Sequence, residues 1–166
     1  MRGYERGATW LEVTSGLSLG AIVLIVAIPV FRREVRGSHQ AEARAALLRI
    51  ARAAEEYARS PKHPRVLPGA VAQTPSDVPR GTAVIVPDAA WEAWRELGIR
   101  VIPEGAPQRY AYSFARTSGE PAAFEAVAVG DLDGDGAFSR AVLRGTLDAS
   151  GTVQYAHEVE FIDALE

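Results

Sequence analysis

Val13–Phe31, VTSGLSLGAIVLIVAIPVF, is nineteen residues without one Asp, Glu, Lys or Arg. As a helix rising ~1.5 Å per residue it is ~28 Å long, close to the ~30 Å hydrocarbon core of a bilayer. A secretory signal peptide and a buried core helix are the other readings of such a run. A signal peptide has a shorter apolar stretch and then a small-x-small cleavage site. Here Pro29 and a basic cluster, Arg32, Arg33 and Arg36, come instead, and the helical pattern continues behind them. The run therefore reads as a membrane span. Pro29 removes one helix hydrogen bond and favours a kink, while Gly16 and Gly20 permit close helix packing.

Beyond the span, Ala43, Leu47, Ile50, Ala54 and Tyr57 recur at spacings of four and three, which is one helical face. Glu42, Arg49, Arg52, Glu56 and Arg59 occupy much of the remainder, with Arg52 and Glu56 one turn apart. One helix from Ala8 to about Arg59 would be ~78 Å long, more than a globule of this size needs. Its first half suits lipid and its second suits docking on a domain. The organisation expected is a polar leader at 1–7, a transmembrane or filament-core helix at 8–31, its amphipathic continuation at 32–59, and a globular head at 60–166.

The head begins with a loop broken by Pro61, Pro64, Pro68, Pro75, Pro79 and Pro87, with room for a short strand at Ala83–Val86. Asp88 is placed to cap a short helix carrying Trp91, Trp94 and Leu97, ended by Gly98. Period two then takes over. Tyr110, Tyr112 and Phe114 mark one strand, Phe124 to Val129 a second, and Phe138 to Leu147 a third, with Gly145 as the place where it would break. Val153, Tyr155, His157, Val159 and Phe161 alternate as a fourth. Ser118-Gly119, Asp135-Gly136 and Ser150-Gly151 supply turns. The fold class expected is α+β: a long N-terminal helix packed on a C-terminal antiparallel sheet of about four strands.

Composition removes several functions. A net charge of −3 gives no basic excess for nucleic acid. The absence of cysteine rules out a disulfide framework and a thiolate metal site. His39, His63 and His157 lack metal spacing, no serine follows the nucleophile-elbow pattern, and no glycine loop suits phosphate. Trp91, Trp94, Tyr110, Tyr112 and Phe114 read as core packing rather than a binding cleft. The chain is not expected to be an enzyme.

The string RGATWLEVTSGLSLGAIVLIVAIPVF, from Arg6 to Phe31, resembles the N-terminal signature of type IV pilins and type II secretion pseudopilins. In that family a short charged leader ends in Gly and prepilin peptidase cuts after it. The resemblance makes Gly7 the last leader residue and Ala8 the new N-terminus. Glu12 is then fifth and Pro29 twenty-second, the positions of the family's assembly markers. The resemblance implies a precursor in the inner membrane with its head outside it. It further implies an assembly platform and a homo-oligomeric helical filament, a pilus or pseudopilus at the cell surface or in the periplasm. Glu12 would pair with the free ammonium of a neighbouring subunit. Its position fits, because a carboxylate at the start of an uncharged span is costly in lipid; placement among lipid headgroups is the other reading. Arginines flank both ends of the span, so charge alone chooses no orientation. WEAWRELGIRVIPEGAPQRYAYSF and FEAVAVGDLDGDGAFSRAVLRG resemble, more loosely, the heads of some pilin-like proteins.

Asp131, Asp133 and Asp135, followed by Gly136, match the opening of an EF-hand-type Ca²⁺ loop. Its twelfth position is Val142 rather than Glu, and strands flank it. No cofactor is required. A smaller Ca²⁺ site from the three carboxylates and carbonyls such as that of Ala137 competes with a solvated loop whose Asp side chains bond their own backbone. The alternative to a filament subunit is a non-polymerising, single-span membrane-anchored module binding Ca²⁺, a glycan or a protein.

Overall fold

The computed structural model describes residues 10–95, 97–117 and 119–162; within the first helix, side chains are described at Trp10, Thr14 and Ser18 and from Gly37 onward. The chain divides into two units, Met1–Gln40 and Ala41–Glu166. Helix α1, Trp10–Arg59, supplies all the described residues of the first unit and the opening of the second. In the first unit, Thr14 Oγ1 donates to the Trp10 carbonyl and Ser18 Oγ to the Thr14 carbonyl, both at 2.9 Å.

In the second unit α1 buries Ala43, Ala46, Leu47, Ile50, Ala51, Ala53, Ala54 and Ala58. Four residues of the face read from the sequence are among them, and Tyr57 is half-buried. Arg59 pairs with Glu55 at 2.7 Å, whereas Arg52 and Glu56 form no ion pair among the described residues. The helix stops where Pro61 cannot continue it. Arg65, at φ 60°, donates its N–H back to the Ala58 carbonyl at 3.0 Å.

Six antiparallel strands follow: β1 Val71–Thr74, β2 Ala111–Thr117, β3 Ala122–Gly130, β4 Ser139–Leu147, β5 Val153–Tyr155 and β6 Glu160–Ile162. Their order is β1-β2-β3-β4-β5, with β6 also on β4. Tyr112 faces Ala128 and Ala128 faces Ala141; Phe114 faces Ala126 and Ala126 faces Leu143. These residues form the inner face, in one apolar core with the buried side of α1. On the outer face Glu125 holds Arg140 at 2.8 Å and Arg144 at 2.9 Å, and Arg144 also reaches Glu160 at 2.6 Å.

The expected fold, a long N-terminal helix on a sheet of about four strands, is overturned. The sheet has six strands and dominates the head. The helix that packs in the core is short, lying within 37–59, with its buried side chains running from Ala43 to Ala58. Two physical features explain the strand count. β1 is only VAQT, too short to show a period, with a proline behind it. The fourth alternating run is two strands, because Ala156–Val159 leaves the ladder; the Ala156 N–H still reaches the Arg144 carbonyl, at 3.3 Å.

Smaller expectations also change. Ala83–Val86 makes a single bridge, Val84 to Gln108, rather than a strand. Asp88 does not cap: Pro87 holds that position, and Asp88 pairs with Arg100. A 3₁₀ turn, Asp88–Trp91, leads into the one-turn helix α2, Glu92–Arg95. Gly98, at φ +67°, follows it and returns its N–H to Arg95 at 2.9 Å. β4 runs unbroken through Gly145, where a Cβ would lie 2.4 Å from the Phe124 ring.

Candidate functional site

The loop between β3 and β4 draws the three acidic residues together. One carboxylate oxygen from each of Asp131, Asp133 and Asp135 lies within 4.8 Å of the others. Asp131 is 1 % exposed, while the other two face solvent. Asp131 organises the loop: its Oδ1 accepts the Gly134 N–H at 2.7 Å and its Oδ2 the Gly136 N–H at 3.1 Å. Asp133 accepts from Asp135 N at 3.2 Å, and Asp135 from Ala137 N at 2.7 Å. The Asp131 backbone is bonded too, its carbonyl to Gly81 N at 2.7 Å and its N–H to Pro79 O at 3.2 Å. Gly81 and Gly134 both have positive φ, and a Cβ on Gly81 would sit 3.4 Å from the Gly134 Cα.

Hard carboxylate oxygens suit Ca²⁺. Each of these carboxylates is nevertheless already used by an amide of its own loop, the pattern of an Asp-built turn. Ala137, whose carbonyl the sequence offers as a ligand, meets the cluster through its N–H, which donates to Asp135.

A second polar cluster was not anticipated. Glu42, on α1, accepts the Arg109 N–H at 3.0 Å and the Tyr112 hydroxyl at 3.4 Å, both on Oε1. Tyr110 and Tyr112 are fully buried, with ring centroids 6.5 Å apart. Burial pushes the Tyr110 phenol up to about 12; Ser139 pulls it back and the Glu42 charge pushes it further up. Tyr110 Oη still closes no hydrogen bond of normal geometry among the described residues. Burial, and then Glu42, raise Tyr112 further still. Periodicity assigned Glu42 to the solvated side of the helix, and no local motif marks a carboxylate that reaches across to another element.

The processing residues Gly7 and Ala8 lie outside the described residues. Glu12 and Pro29 have helical backbone within α1, but their side chains lie outside the described set. Among the described residues no helix is long and apolar enough to cross a membrane, and the side chains of the 13–31 run fall largely outside that set. No protein-family model matches the chain, and neither does any curated protein or solved structure.

Asp131→Asn keeps one oxygen acceptor but turns an amide donor toward the other of the two backbone N–H groups, and should cost about 1–3 kcal/mol in urea unfolding. Millimolar Ca²⁺ should move the wild-type melting temperature by less than about 1 °C, since ligand binding to the folded state would raise it; a rise of several degrees that Asp133→Asn abolishes would establish a cation site. The tyrosines set the alkaline limit. Unfolded phenols ionise near pH ~10 while the folded ones keep their protons. The folded state then binds more protons, so stability falls as pH rises above the unfolded value toward the folded one. Two such groups give a slope of up to ~2.7 kcal/mol per pH unit. Denaturant titrations from pH 8 to 11 should show that fall, with Tyr112→Phe roughly halving the slope; an unchanged slope in the variant contradicts it.

Proposed function

We propose that the chain is a structural subunit of a type IV pilus-like or pseudopilus filament. It enters the inner membrane as a precursor, is cut after Gly7, and polymerises through its N-terminal helix. The observation that carries this reading is the register of Gly7, Ala8, Glu12 and Pro29 around an uncharged run that ends at Phe31. Two features are compatible with it. The α1 backbone is helical from Trp10 through Pro29 without interruption. Thr14 and Ser18 spend their hydroxyl protons on carbonyls one turn back, which lowers the cost of taking them out of water.

The mechanism is lateral packing of apolar helices. Repeating one heterologous contact gives an open filament. The lone carboxylate of Glu12, costly in an apolar array, is neutralised by the new amine at Ala8 of a neighbour, and this pairing sets the axial register. Membrane lipid, prepilin peptidase and an inner-membrane assembly platform are the partners this scheme requires. The chain itself carries out no chemistry in it.

Glu12→Ala should insert in the membrane at the wild-type level, while filament yield drops by at least about tenfold. Mass spectrometry of the wild-type protein should find a chain beginning at Ala8. A mature protein that keeps Met1, or a Glu12→Ala variant that polymerises as well as wild type, overturns the proposal in favour of a membrane-anchored binding module.

A further inference from the structure

We propose that Glu42 is a latch that couples the start of the packed helix to the base of the β3–β4 loop. Every residue involved lies in the second unit. Within it α1 opens with exposed Ala41 and half-buried Glu42, and burial begins at Ala43. Ala43 and Ala46 each bury only a methyl group, and the first large buried side chain is Leu47. Apolar burial, which scales with area, therefore holds this first turn weakly. The Glu42 carboxylate supplies what the alanines lack, a tie to the Arg109 N–H and the Tyr112 hydroxyl. Hydrogen bonds to a charged group are the stronger kind.

The tie continues on the other side of the same residue. The Arg109 carbonyl lies against Gly130, where a Cβ would sit 2.7 Å from that oxygen and 3.0 Å from Tyr110 Cδ1. Gly130 immediately precedes Asp131, whose carboxylate holds the Gly134 and Gly136 amides. The segment between has little freedom. Gln108 exchanges two backbone hydrogen bonds with Val84, at 2.8 and 2.9 Å, and its side chain donates to the Tyr110 carbonyl at 2.8 Å. A displacement of Glu42 is thus passed through a braced backbone to Gly130, which the Arg109 carbonyl and the Tyr110 ring approach too closely for any side chain, and from there to the loop.

Amide hydrogen exchange on the full-length protein in detergent tests the latch, and its readout is independent of polymerisation. In Glu42→Ala, amides at 43–47 should exchange at least about tenfold faster. Those at 133–137 should exchange at least about twofold faster, with 50–58 and the β3–β4 ladder unchanged. Glu42→Gln keeps an oxygen acceptor and should recover most of the protection at both places. Tyr112→Phe, which removes only the longer bond, should give a smaller acceleration at the same two places. Acceleration confined to the helix start overturns the coupling. Equal acceleration throughout the head reduces Glu42 to a general stabiliser and overturns the latch.

Discussion

Size matching between one helix and one sheet governs the head. The helix contributes small side chains: six buried alanines between Ala43 and Ala58, with Leu47 and Ile50 among them. The large ones come from elsewhere, as Trp94, Tyr110, Tyr112, Phe114 and Phe124, all fully buried. Interiors are packed at crystal-like density, so rings of this size fit only where the facing residues are small. The same rule operates within the sheet. Gly145 lies under the Phe124 ring and Gly130 under the Tyr110 ring, and neither has room for a Cβ. Phe114 and Phe124 then stack with centroids 5.4 Å apart.

Burying so many rings brings polar atoms into the core, and their partners fix the architecture. Trp94 Nε1 donates to Thr74 Oγ1 at 3.0 Å, tying the helical segment Asp88–Arg95 to the edge strand β1. The Tyr112 hydroxyl finds Glu42 on α1. Such bonds contribute modestly when made and cost more when left open, so they select one seating of the helix over its neighbours in register. On the opposite face of the sheet, solvent-exposed ion pairs among Glu125, Arg140, Arg144 and Glu160 contribute little stability. The head is thus specified from its inner side. The proposed assembly role rests instead on the N-terminal run, where one carboxylate precedes nineteen uncharged residues.

What the sequence disclosed follows from what is local. The buried face of α1 was legible because alanines and leucines recur at helical spacing. β2, β3 and β4 were legible because apolar inner-face residues such as Tyr112 and Phe114, Phe124 and Ala126, and Ala141 and Leu143 recur two apart within strands of seven to nine residues. β1 was not, since four residues carry no usable period. The fourth run looked continuous because His157 and Val159 keep the alternation while the backbone departs from β4, and pairing is a non-local fact. The Asp-rich loop was correctly placed between strands; Asp131 as its buried organiser depends on amides that only the folded loop presents. Glu42 was hidden for the same reason, as its partners are 67 and 70 residues away. The leader and the side chains of Glu12 and Pro29 fall outside the described residues, so their reading rests on register alone.

Equilibrium unfolding of a matched pair of alanine variants tests the size match most directly. Ala54, 1 % exposed, lies in the core, and Ala45 faces solvent on the same helix. Ala54→Leu should lower stability by about 1–3 kcal/mol, the cost of overpacking. Ala45→Leu should change it by no more than about 0.5 kcal/mol. Equal, near-zero effects at both positions would contradict a core in which small helix residues make room for the rings.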